Sequence, residues 1–123
     1  MQGSQPLVMD ALRESTKELH ADTEGHQFQK DLGSGRIRQD LYVKYLGQLY
    51  LMHKHLADLL PQAAAADPRI AAVFAPYHSD LSAVVGDLGY FDATTDSVVP
   101  LTATAALLGT MDELAKRSPL SLL

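Results

Sequence analysis

Apolar residues at Leu41, Tyr45, Leu49, Met52, Leu56 and Leu59 fall at i, i+4, i+8, i+11, i+15 and i+18. That rhythm keeps one face of an α-helix apolar over five turns, and it constrains the fold more than any other feature of the chain. Leu7, Val8, Ala11, Leu12, Ser15, Leu19 and Thr23 form a second stripe, predicting a helix that starts at Pro6 and stops at Gly25. A third, over Leu101–Lys116, keeps Leu101, Ala105, Leu108, Met111 and Ala115 in phase, with Lys116 and Arg117 suiting its C-terminal dipole. No stretch alternates with period two, so the fold class is all-α, with about five helices.

Between these helices the punctuation is local. Residues 1–5 read as a polar tail. Phe28 and Leu32 anchor a short turn, and Asp31-Leu-Gly-Ser-Gly35 reads as a loop. Pro61 is expected to end the long helix, with Gln62–Asp67 a connector. Pro68–Phe74 and Pro76–Leu88 read as two further helices, the latter turning Leu81, Val84, Val85 and Leu88 inward. Gly89–Pro100 reads as a loop. Tyr42, Tyr45 and Tyr50 suit half-buried packing positions with wet hydroxyls.

The 123 residues suit a single domain, 1–123. The absence of cysteine removes disulfide scaffolds, thiolate metal sites and cysteine nucleophiles. A net charge of −5 argues against nucleic acid as a partner. No apolar run of about 18 residues is present to span a membrane, and the N-terminus lacks a basic region followed by an apolar one, so the expected location is cytoplasmic.

The residues with the most chemical content lie in Arg13-Glu-Ser-Thr-Lys-Glu-Leu-His-Ala-Asp-Thr-Glu24. On a helix, His20 sits about 20° in azimuth from Arg13 and roughly 10 Å further along the axis. Lys17 lies one turn before His20 and Glu24 one turn after it. Glu24 can hold one ring nitrogen of His20 and leave the other free, as an axial ligand to haem iron requires. Arg13 and Lys17 are like charges at i, i+4, a repulsion that the carboxylates of a porphyrin would relieve. The same cations could equally pair with Asp10 and Glu14 as helix-surface bridges. His53 and His55 are about 200° apart on their helix and cannot share a metal without strain. His26 and His78 have no visible partners, too few inward acids are present for a di-iron carboxylate site, and Gly33-Ser-Gly35 has the wrong spacing for a phosphate cradle.

The segment Leu12–Glu24 resembles the proximal helix of haem oxygenases (heme oxygenases, the biliverdin-producing family). The similarity runs through Phe28, Gly33-Ser-Gly-Arg-Ile37 and Leu41-Tyr-Val-Lys-Tyr-Leu-Gly-Gln-Leu-Tyr50, and more loosely through Phe74–His78 and Asp87–Tyr90. The resemblance implies a helical fold that binds haem as both substrate and cofactor. It further implies oxidative cleavage to biliverdin, carbon monoxide and ferrous iron, with dioxygen and an electron-donating reductase. By the same resemblance His20 is the proximal iron ligand and Glu24 its acidic neighbour. Arg13 and Lys17 meet the propionates, Phe28, Gln29 and Leu32 line the proximal side, and His53 stands near the distal water network. The family's glycine-rich distal helix has no counterpart, so a domain incomplete at its C-terminus is expected, and no catalytic side chain is assigned.

Ser118-Pro119 carries the capping signature of a helix start, followed by Leu120, Leu122 and Leu123. Three readings are therefore open: an enzyme of haem oxidation, a haem-binding module without turnover, or a helical module that self-associates as a homodimer through its apolar C-terminal end.

Overall fold

The computed structural model describes residues 7–123, so the polar tail and the helix-opening Pro6 lie outside the described residues. The described chain is all-α: α1 (Val8–Gly25), α2 (Gln27–Ser34), α3 (Gln39–Ala66), α4 (Pro68–Val73), α5 (Ser82–Tyr90) and α6 (Thr102–Arg117), with 3-10 turns at Pro76–Ser79 and Pro119–Leu122. The expectation of an all-α chain with about five helices holds, with six helices among the described residues. The chain divides into two compact units, one ending at Gln39 and the other spanning Asp40–Leu123.

In the first unit, α1 ends where expected. His26 has extended backbone, and its N–H reaches the Thr23 carbonyl at 3.2 Å. The Asp31–Ser34 segment is the last turn of α2 rather than a loop. Gly35, at φ 72°, adopts the left-handed conformation that lets the N–H groups of Gly35 and Arg36 turn back onto the carbonyls of Leu32 and Asp31.

In the second unit, α3 does not stop at Pro61. Proline removes one N–H from the ladder, but Leu60 and Ala63 on either side are buried and hold the turn in place. The following alanines, the best helix formers, carry the helix to Ala66. It ends at Asp67-Pro68, where the Asp67 carboxylate accepts from the Arg69 N–H at 2.9 Å and opens α4. The helix expected over Pro76–Leu88 is broken at Asp80, whose Oδ1 accepts from the Ser82 N–H at 2.9 Å and starts α5 afresh.

The core of this unit is Leu46, Leu60, Ala63, Ile70 and Leu88, with Thr104 the one buried polar side chain among the described residues. Two expected faces are corrected. Val85 is 42% exposed, whereas Leu81 and Val84 are half-buried and Leu88 is buried, so the inward face of this segment runs along 81, 84 and 88 and leaves position 85 at its edge. Leu101, which precedes α6, and Ala105 are exposed and Thr104 is buried, whereas Leu108, Met111 and Ala115 are half-buried, so the inward face follows the expected stripe from Leu108 onward and takes Thr104 at its start. Leu41 of α3 is exposed as well. Tyr42, Tyr45 and Tyr50 are half-buried, and Tyr42 packs edge-on against Phe91 with centroids 5.8 Å apart.

Side-chain hydrogen bonds tie α3 to α6 and to the loop before it. His55 Nε2 on α3 meets Asp112 Oδ1 on α6 at 2.7 Å. Gln48 on α3 clamps the loop before α6, donating to the Val99 carbonyl and accepting from the Leu101 N–H, both at 3.0 Å. The Pro119–Leu122 turn packs on α6, and Ser118 spends its hydroxyl on Ser121, 2.8 Å away, rather than on a cap.

Candidate functional site

The His20 imidazole stands on the fourth turn of α1, with Nε2 3.0 Å from Oε1 of Glu24. A proton on Nε2, the nitrogen that faces the carboxylate, would leave the lone pair on Nδ1. Both side chains are open, 72% exposed for His20 and 71% for Glu24, so the pair is accessible to a ligand.

The surroundings of the ring follow from helix geometry. Leu12, Thr16, Leu19 and Thr23 share one stripe of α1, and Leu12 and Leu19 are 52% and 70% exposed. The threonines add little polarity to it. Thr16 Oγ1 donates to the Leu12 carbonyl at 2.8 Å and Thr23 Oγ1 to the Leu19 carbonyl at 2.7 Å, which leaves their methyls outward. Thr16, Leu19, His20 and Thr23 line a shallow depression. His20 stands about 80° round the helix from Leu12, with Arg13 and Lys17 beyond it at about 100° and 140°. No residue of α1 is buried.

Arg13 approaches Asp10 at 3.5 Å, so one of the helix-surface bridges left open by the sequence is present, in a loose form. Lys17 makes no ion pair among the described residues, and both cations are exposed. On α2, Phe28, Gln29 and Leu32 are half-buried. His53 belongs to the second unit, where it lines an apolar cleft of about 410 Å³ with Leu56, Phe74 and His78.

Two other histidines are engaged in structure. His55 is tied to Asp112. His78, which showed no partner in sequence, accepts the Ala75 N–H on Nδ1 at 2.9 Å and closes its own 3-10 turn. Neither pairing was visible to a reading of local motifs, although His78 three residues after Ala75-Pro76 carries a turn-closing spacing. Among the described residues, no three His, Asp or Glu side chains are grouped to hold a metal ion. No helix among them is long and apolar enough to cross a membrane.

The donor set of α1 fits a haem. One imidazole is oriented by a carboxylate, an apolar stripe beside it matches the face of a macrocycle, and two cations along its edge match carboxylate side arms. The elements so far define an all-α protein whose first helix presents an accessible imidazole between an apolar and a basic strip. The family model for heme oxygenase matches residues 7–123, and the chain belongs to the haem oxygenase family. No curated protein and no solved structure gives a significant match.

Proposed function

We propose that this protein binds haem through the His20 imidazole, as the substrate of oxidative cleavage to biliverdin, carbon monoxide and ferrous iron. The observation that carries the reading is the His20–Glu24 contact of 3.0 Å on an exposed helix face, in a chain of this family. The family match runs across both compact units, which supports one haem oxygenase domain over 1–123.

The chain's own residues supply binding and orientation. Glu24 keeps the ring of His20 in one tautomer and raises the basicity of the nitrogen offered to iron. Leu12 and Leu19 gain from burial against the macrocycle, at roughly 25 cal/mol per Å² of apolar surface removed from water. Arg13 and Lys17 pair with the propionates, Arg13 exchanging its loose contact with Asp10 for a carboxylate of the ligand. Phe28 and Gln29 are assigned to the proximal side, and His53 to a proton-carrying water network, by their match to the family. Haem itself supplies the iron at which dioxygen is reduced, with electrons from a reductase.

Hemin titration tests this. A Soret shift with the signature of an axial imidazole is expected in the wild type and is abolished in His20→Ala; a mutant spectrum equal to wild type removes the proximal assignment. Addition of ascorbate or a reductase system is expected to replace the Soret band with that of biliverdin. A band that persists under reductant leaves haem binding and removes the cleavage.

A further inference from the structure

We propose that the second unit holds a separate binding site for a small amphipathic carboxylate, in the cavity between α3, the end of α5 and the loop over 93–101. The cavity has a volume of about 310 Å³, at the lower end of the range for small-molecule sites. Its walls are the apolar side chains of Val43, Val98 and Leu101, and its floor is Leu88, which is 1% exposed.

Polar groups at the cavity are few, and all but one are satisfied. Both ends of the Gln48 amide are used by the Val99 carbonyl and the Leu101 N–H. The Thr94 and Ser97 hydroxyls are 3.2 Å apart and bond to each other. Lys44, an exposed residue of α3, also lines the cavity and has no ion pair among the described residues. No acidic side chain lines the cavity.

An apolar chamber with one unpaired cation at its edge selects for a ligand with an apolar body and a single anionic end. A neutral body gains only from burial, and a cationic one is repelled. The chamber is preformed, which lowers the cost of binding. A Cβ placed on Gly47 would lie 3.1 Å from Cγ1 of Val98, so the loop approaches α3 this closely because position 47 has no side chain. The two bonds of Gln48 then pin the loop from the other side. None of the residues involved takes part in the haem site on α1, so the two proposals stand or fall separately.

Octanoate titrated into the isotope-labelled full chain, followed by amide chemical shifts, is the test, with octanol and octylamine as parallel probes. Saturable shifts are expected at Gly47, Ala93 and Val98, with octanoate binding about tenfold tighter than octanol, as for one charge-assisted contact. Lys44→Gln, a surface substitution, should bring octanoate down to the affinity of octanol. Ala93→Leu should block both, and His20→Ala should leave the titration unchanged. The proposal is overturned if octanoate gives no saturable shift up to its solubility limit, if the shifts fall elsewhere, if octylamine binds as well as octanoate, or if Lys44→Gln keeps wild-type affinity.

Discussion

Helices α1 and α3 are both amphipathic by sequence, yet they meet different fates. Every buried side chain of the described residues belongs to the second unit, three of them on α3, and none lies on α1. The residues proposed to hold haem show the reverse distribution, with His20, Glu24, Arg13 and Lys17 together on α1. An apolar stripe is therefore no statement about a core. On α3 it specifies packing within the chain. On α1 it remains surface, and beside an oriented imidazole and two cations it becomes a surface suited to a flat apolar anion.

The contrast can be broken most severely at the core. Ile70→Ala, at a site with no exposure, is expected to cost about 2–5 kcal/mol in denaturant unfolding, whereas Leu19→Ala should change stability by no more than about 0.5 kcal/mol. Equal losses would show that α1 is buried in solution and would end its reading as a ligand surface. The converse measurement is hemin affinity: Arg13→Gln and Lys17→Gln should each weaken it by about 1 kcal/mol, increasingly so at low salt, with stability unchanged. Unaltered affinity in the double variant would remove the propionate contacts.

His55→Ala sharpens the second unit's side of the comparison. Loss of the 2.7 Å contact with Asp112 should cost about 1 kcal/mol of stability, held down by the pair's partial exposure, with no change in the Soret band. A spectral change would place His55 in haem binding instead.

The smallest effect concerns acid. The side-chain and backbone hydrogen bonds from Arg69 hold the Asp67 carboxyl below its ordinary value. Its contribution is therefore present above the carboxylate's unfolded pKa of about 3.9 and is lost as pH falls through the lower folded value. Asp67→Ala should flatten that limb of the stability profile, as read from urea midpoints across acidic pH. An unchanged acid limb would assign it to other carboxylates.

Some of this was legible in the chain and some was not. The stripes of α1, α3 and α6 and the stop at Gly25 are local periodicities, and they appear where expected. The His20–Glu24 contact follows from i, i+4 spacing alone. Pro61 misled because its cost is local and real, while the burial of Leu60 and Ala63 that outweighs it comes from packing. The start of the inward face of α6 misled for a related reason: Ala105 and Thr104 differ little in the volume they fill, and the neighbours of α6 decide which is buried.

Periodicity, capping and spacing determined by themselves that this protein is helical, where most of its helices lie, and that one helix carries an imidazole, a carboxylate and two cations in line. These properties reach only a turn or two along the backbone. The pairing of His55 with Asp112, the clamp of Gln48 on the 93–101 loop and the closeness of Gly47 to Val98 join residues about fifty positions apart. Only tertiary structure could decide them, because close packing chooses among many chemically equivalent partners by shape, and shape is a property of the assembled unit.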